Sequence, residues 1–223
     1  MTLVNYKVYY VFKNIKTAIN RHLPYILLLI CVTVFKLQGQ VQWQHTQQRI
    51  SNFTLPCSAD SVVSLAQYKQ AKGFIVVFTC NHCPFAKLYS KRFNALSTKY
   101  AALGVPLLAI NSMDTIVYNN ENLKAMAATA RKRQFNFPYL FDASQNVAKQ
   151  FNAQHTPQAF IIWKDGNEWV IRYSGAIDNN GAEPQKVTKN YIDNALNSLL
   201  NFKPVAEPIT ESFGCKIYIR ATN

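Results

Sequence analysis

The sequence predicts an α/β domain: a mixed central β-sheet flanked by helices on both faces. Three observations predict it. Two short apolar runs rich in β-branched residues, Gly73 to Thr79 and Val105 to Ile110, each lead toward a segment of helical periodicity. Two further apolar runs flank Asp165-Gly166 in the second half of the chain. Strands that alternate with helices build a parallel sheet, and two strands joined at an Asp-Gly turn add an antiparallel pair to it.

The elements follow in order. From Gln40 to about Leu65 the chain is polar and turn-rich, with a short apolar piece, Phe53 to Leu55, closed by Pro56, which suits a first strand or hairpin. Gly73 to Thr79 reads as a strand buried on both faces, and it runs straight into Cys80-Asn81-His82-Cys83-Pro84. Phe85, Leu88, Tyr89, Phe93, Leu96 and Tyr100 then recur at three- and four-residue steps, which predicts one long amphipathic helix ending near Gly104, with Pro84 in its first turn. Val105 to Ile110 is a second buried strand, and the Ala-rich stretch Glu121 to Arg133 a second helix. A helix from about Ser144 to Phe151 precedes Thr156-Pro157, and Ala159 to Trp163 with Trp169 to Tyr173 form the hairpin. The last helix spans Val187 to Leu200, with Tyr191, Ile192, Ala195, Leu199 and Leu200 on one face. This order is the thioredoxin architecture.

At 223 residues and 49% hydrophobic, the chain can bury one sizeable core. Residues 1–39 read as a signal peptide or N-terminal membrane segment, 40–201 as the domain, and 202–223 as a tail carrying Cys215. The N-terminal segment has a basic start and an uncharged apolar run, Leu23 to Phe35, followed by a polar stretch. Its 13 residues fall short of the roughly 20 that span a bilayer as a helix, so export to a periplasmic or other extracytoplasmic space is the expectation, and a membrane anchor the alternative. The stretch Leu37-Gln38-Gly39-Gln40 is a poor match to the small-residue cleavage pattern.

The formal charge of +13 raises nucleic acid as a partner, but five basic residues (Lys7, Lys13, Lys16, Arg21, Lys36) precede residue 40, where there is no acid. The other basic residues are scattered, the densest run being Arg131 to Arg133, with no Gly-rich or aromatic-interleaved basic stretch beside it to hold bases or backbone. Nucleic acid is not implied. A membrane enters only through the N-terminal segment.

Chemistry gathers on cysteine. Beyond Cys31 in the apolar run there are Cys57, Cys80, Cys83 and Cys215, too few for a disulfide scaffold of this size. A Cys-x-x-Cys pair between a buried strand and a helix start has a physical logic, because helix-terminal N–H groups stabilise a thiolate. Cys80 is expected to be that thiolate, with Cys83 one turn on as the thiol that resolves a mixed disulfide, and a protonated His82 favouring the anion. The plainer alternative is an inert pair. A metal is the other: Cys80, Cys83, His82 and His155 could offer thiolate and imidazole ligands to copper or zinc, although a structural zinc site would want a further Cys or His pair. Thr156-Pro157 precedes a strand, where a cis proline would set backbone beside the dithiol for an incoming peptide to pair with, an ordinary turn proline being the alternative.

With these residues in view, the chain resembles the redoxin group of the thioredoxin-like superfamily, which includes alkyl hydroperoxide reductase and thiol-specific antioxidant proteins, and within it a peroxiredoxin-like subgroup. The resemblance rests on Val77-Phe-Thr-Cys-Asn-His-Cys-Pro84, Ala109-Ile-Asn-Ser112, Phe137-Pro-Tyr-Leu-Phe-Asp142, Thr156-Pro157, Ser174-Gly-Ala-Ile-Asp178 and the Gly-Cys-x-Ile ending at Cys215. It implies peroxide chemistry where, three and seven residues before the reactive cysteine, a Thr or Ser and a Pro stand, and an Arg follows later. Those positions hold Cys80 and Val76 counted from Cys83, and Val77 and Gly73 counted from Cys80, with no arginine just before Ala159. Thioredoxins also carry a buried acid six residues before the first cysteine, where this chain has Phe74.

The expected function is therefore an exported thiol-disulfide oxidoreductase acting through Cys80 and Cys83, with Pro157 shaping the peptide groove and protein or small-molecule thiols and disulfides as partners. No organic cofactor is implied. The alternatives are a thiol-dependent peroxidase acting through a sulfenic acid, and a copper-handling or redox-inert thioredoxin-like binding module. Cys57 and Cys215 leave two readings open: a third thiol that relays a disulfide, or a structural bridge between the two.

Overall fold

The computed structural model describes residues 47–220. The expected targeting segment, residues 1–39, lies outside them. Among the described residues no helix is long and apolar enough to cross a membrane.

Among the described residues, ten strands are present: β1 (Arg49–Ile50), β2 (Thr54–Cys57), β3 (Ser61–Ser64), β4 (Gly73–Phe78), β5 (Leu107–Asn111), β6 (Tyr139–Phe141), β7 (His155–Thr156), β8 (Gln158–Asp165), β9 (Glu168–Gly175) and β10 (Cys215–Lys216). Five helices accompany them: α1 (Pro84–Leu88), α2 (Ser90–Ala101), α3 (Leu123–Lys132), α4 (Asn146–Phe151) and α5 (Tyr191–Leu200). Eight strands form one sheet in the order β1-β9-β8-β4-β5-β6-β2-β3, and β10 with β7 forms a two-stranded ladder. The run β4-β5-β6 is parallel, β8 is antiparallel to β4, and β9 is antiparallel to β8. The mixed sheet is as expected, and the fold is thioredoxin-like.

Strand β4 explains why the sheet has two cores. All six of its residues are buried, and because side chains alternate across a strand they divide between its faces. Phe74, Val76 and Phe78 join one cluster with Val147, Ala148 and Phe151 of α4. Ile75 and Val77 join the other, with Phe93, Leu96 and Tyr100 of α2, Met126 of α3, and Ile192, Ala195 and Leu196 of α5. Helices therefore cover both faces, which is what a continuous apolar strand requires.

Three helix boundaries differ from the periodicity. The helix after the dithiol divides at Tyr89, whose N–H bonds back only three residues, to Ala86 O at 3.3 Å, while its hydroxyl donates to buried Asp178 at 3.0 Å. Helix α3 starts at Leu123 because Asn122 caps it, accepting the Ala125 N–H at 3.0 Å. Glu121 is thereby left outside the helix and free to turn inward. Helix α5 starts at Tyr191, with residues 184–186 forming a 3₁₀ turn ahead of it.

The segment after α5 packs back on the domain. Ser174 N–H bonds to Pro208 O and Thr210 N–H to Ser174 O, both at 3.0 Å, alongside the end of β9. Beyond that bridge, β10 pairs with β7, opposing Cys215 to Thr156 and Lys216 to His155.

Candidate active site

The site forms where β4 ends. Thr79 N–H still bonds to Ile110 O at 2.9 Å, after which Cys80, Asn81 and His82 turn out of the sheet. Cys83 is the N-cap of α1 and Pro84 its first residue. Proline suits that position because its missing N–H would have had no helical partner. Both cysteines are buried, at 1% and 0% exposure.

Glu121 anchors the turn from beneath. Its side chain is fully buried, and it accepts hydrogen bonds from the backbone N–H of Asn81 (2.9 Å) and of His82 (2.9 Å) and from the Asn111 amide (2.6 Å). The His82 ring places Nδ1 2.6 Å from the same carboxylate and stacks on Tyr118 with centroids 4.4 Å apart. Asn81 is held as well, donating to Asn120 O, accepting from the Tyr139 hydroxyl, and offering its carbonyl to Arg133. A loop that would otherwise expose polar backbone to the core is thus satisfied from three directions.

Thr156 meets the dithiol from the other side. The Thr156-Pro157 peptide bond is cis. Thr156 Oγ1 lies 3.3 Å from Cys80 Sγ, and its carbonyl oxygen lies 3.0 Å from Cys83 Sγ. The Thr156 hydroxyl also faces the Cys215 carbonyl at 3.4 Å across the ladder. Just before Cys215, Gly214 approaches so closely that a Cβ there would fall 2.1 Å from Thr156 O. Only glycine permits that approach.

The electrostatics separate the two thiols. Cys83 is drawn well below the ordinary thiol range, first by the hydrogen bond from Cys80, then by those from the Cys215 thiol and from the Ala86 and Cys215 backbone, against the opposing cost of burial. Cys80 is pushed up, first by its hydrogen bond to Cys83, then by burial, with the negative charge of Glu121 adding to the effect. The Thr156 carbonyl, which accepts from the Cys83 thiol, opposes an anion there, whereas the neighbouring donors favour one, and the balance lowers Cys83 relative to Cys80. The sequence places the anion on Cys80. The structure lowers Cys83 instead, first through its neighbour Cys80, with the Cys215 thiol and the Ala86 N–H adding smaller shares.

A model of the AhpC/TSA family matches residues 46–173. The chain belongs to the AhpC/TSA family. No curated protein matches it. Among solved structures, it is similar to a hypothetical protein from Sinorhizobium meliloti 1021, with 31% identity and a TM-score of 0.71 over 79% of this chain and 96% of that one. An uncharacterized conserved protein from Geobacillus kaustophilus gives 32%, 0.72, 80% and 94%. Peroxidoxin BcpB from Mycobacterium tuberculosis shares the fold at 19% identity and a TM-score of 0.51, over 70% of this chain and 96% of that one. Membership and fold support thiol redox chemistry in general terms.

Within this AhpC/TSA domain, Cys80, Cys83, His82 and Pro157 lie around one turn, and the tail brings Cys215 to the same place. Cys57 sits elsewhere, paired with Leu140 on β6 and close enough to Tyr68 to act on its hydroxyl. All four described cysteines are free thiols. The group of metal-ligating type among the described residues is Cys80, His82 and Glu121, with ligand atoms within 4.8 Å of one another. His155, expected in that set, instead places its ring Nδ1 3.4 Å from Ser212 Oγ. It is carried on β7, whose pairing with β10 turns it toward the tail.

Glu121 escaped the sequence reading. It stands at the head of a helix-forming stretch, forty residues from the dithiol, and its only signal was an acid next to the Asn122 cap. A cleft of about 600 Å³ opens beside Pro157, lined by Phe85, Leu88, Tyr89, Ile177 and Phe213 among others. Phe85 and Phe213 are 51% and 68% exposed there, so the rim offers apolar surface to a partner.

Proposed function

We propose that this AhpC/TSA protein is an exported thiol-disulfide oxidoreductase that exchanges electrons between its Cys80–Cys83 pair and disulfides of protein substrates. Cys83, carrying the charge, attacks a substrate sulfur and releases the first substrate thiolate. Cys80 then attacks the Cys83 sulfur, releasing the second thiolate and closing the Cys80–Cys83 disulfide. The substrate disulfide gains two electrons and the dithiol loses two. This order reverses the roles expected from sequence, because the donors converge on residue 83.

One observation carries the reading: two sulfurs share Thr156, one on its hydroxyl and one on its carbonyl. The apolar cleft beside Pro157 suits a polypeptide rather than a small peroxide. Export rests on the basic, then apolar, N-terminal sequence.

The test is reduction of a disulfide-bonded protein with dithiothreitol as terminal reductant, run beside hydrogen peroxide consumption. The wild-type protein should accelerate the first, and Cys80→Ser and Cys83→Ser should each abolish it. With Cys80→Ser, a mixed disulfide should accumulate on Cys83. Peroxide consumption without disulfide reduction would replace this reading with the peroxidase.

A further inference from the structure

We infer that Cys215 is a third redox thiol of the same site, and that the disulfide first closed between Cys80 and Cys83 is passed on to Cys83 and Cys215. The inference rests on the oxidoreductase reading above, which supplies the Cys80–Cys83 disulfide.

The register of the tail is the main support. In an antiparallel ladder, directly opposed residues project to the same face. Cys215 opposes Thr156, and the Thr156 hydroxyl touches Cys80 Sγ, so the Cys215 side chain is delivered to the face that holds the dithiol. Thr156, which Cys215 opposes, meets Cys80 Sγ with its hydroxyl and Cys83 Sγ with its carbonyl oxygen, and the same hydroxyl faces the Cys215 carbonyl; Cys80 and Cys215 are the two thiols whose influence lowers Cys83. Cys83 is therefore the sulfur common to both neighbours, as the central atom of an exchange must be.

The tail is built to hold this position. Ile217 N–H bonds to Gln154 O at 2.7 Å, Ile217 is buried at 4% exposure, and Tyr218 O accepts from the buried Gln145 amide at 2.9 Å. Gly214 allows the close approach to Thr156 that a Cβ would forbid. The tail occupies the backbone edge of His155 and Thr156, next to Pro157, where a substrate chain was expected to pair, and it presents a cysteine there. It stands in the place of a substrate.

The chemistry balances without an external oxidant. The Cys215 thiolate attacks the Cys83 sulfur, the Cys80–Cys83 bond breaks, and Cys80 leaves as a thiolate that takes up the proton Cys215 gave away. One S–S bond is made and one broken, and no electrons are gained or lost. Burial first, and then the charge and hydrogen bond of Cys83, push the Cys215 thiol up to about 11 in the reduced site. The second and third of those influences disappear once Cys83 is part of a disulfide, so oxidation itself primes Cys215.

Oxidised glutathione added to the reduced full-length protein, followed by acid quenching, alkylation, tryptic digestion and mass spectrometry, tests this. Cys80 and Cys83 share the peptide 73–87, Cys215 lies in 190–216, and Cys57 lies in 50–69. The expected result is a disulfide joining 73–87 to 190–216 in more than roughly half of the oxidised protein. Cys80→Ser, which cannot close the first disulfide, should hold a glutathione mixed disulfide on Cys83 in place of that bond, and Cys215→Ser should leave only the loop inside 73–87. A wild-type protein with the loop alone and residue 215 fully alkylated would overturn the inference while leaving the oxidoreductase intact. So would a bond between 50–69 and 190–216. If peptide 73–87 is not oxidised at all, the oxidoreductase reading fails and takes this one with it.

Discussion

Glu121 Oε1 lies 2.6 Å from His82 Nδ1, in a carboxylate without solvent exposure. A buried carboxylate is tolerated only where donors surround it. Here two backbone N–H groups, an amide and an imidazole do so. Glu121 thereby fixes the backbone of the turn that carries the dithiol, and its charge reaches Cys80.

Replacing Glu121 by Gln keeps the shape but turns an amide NH2 toward donors. The loss should be about 2–3 kcal/mol in urea unfolding, since buried donors are left unpaired. The same substitution removes a negative charge that raises the Cys80 thiol, so the Cys80 pKa should fall. A merely structural role would leave that titration unmoved.

Thiolate absorbance followed against pH should show one anion persisting well below the ordinary thiol value of about 8.5, lost in Cys83→Ser. In Cys80→Ser the surviving Cys83 titration should move upward, because its largest favourable partner is gone. The sign carries to stability. A lowered Cys83 contributes stability that is present above the unfolded thiol pKa and lost as the pH falls through the folded value. A raised Cys80 contributes stability below the unfolded value that is lost as the pH rises. Urea midpoints should therefore fall on acidification in the wild type more than in Cys83→Ser.

Arg92 Nη1 pairs with Asp178 at 2.6 Å, and the Arg92 guanidinium also binds the carbonyls of Asn180 and Gly181. Asp178→Ala leaves that cation largely buried and unpaired, for an expected loss of about 3 kcal/mol or more. The double variant Arg92→Met with Asp178→Leu should recover part of it. Chemical unfolding of the three proteins measures both effects.

Phe85→Ser should raise KM for a protein disulfide roughly fivefold, the equivalent of about 1 kcal/mol of apolar contact. Exchange with oxidised glutathione, which is too small to span the cleft, should not change. Equal losses on both substrates would place the residue in folding rather than recognition.

Gly214→Ala should lift β10 from Thr156, because no Cβ fits 2.1 Å from a carbonyl oxygen. The alkylation rate of Cys215 by iodoacetamide should then rise roughly tenfold as the ladder opens, while β4 and β8 amides keep their hydrogen-exchange protection.

The sheet, the hairpin and the position of the dithiol were legible in the sequence because their signals are local. Gly73 to Phe78 is apolar without interruption, Pro84 marks a helix start, and Asp165-Gly166 marks a turn that Gly166 takes with φ at +59°. The identity of the chemistry, two thiols three residues apart, was likewise written in adjacent residues. Helix boundaries were less legible, since Tyr89 breaks the helix through a bond to Asp178, which the periodicity of residues 85–100 cannot register.

What only the tertiary structure decided lies in contacts between distant segments. Glu121 reaches the turn from forty residues away, Thr156 touches both sulfurs from more than seventy, and the tail returns to oppose Cys215 to Thr156. These contacts raise one thiol, lower the other and give Cys83 a second neighbouring thiol. The pattern of one segment cannot encode them, because thiol acidity follows from donors and charges gathered in space, and strand pairing brings those together regardless of their separation along the chain.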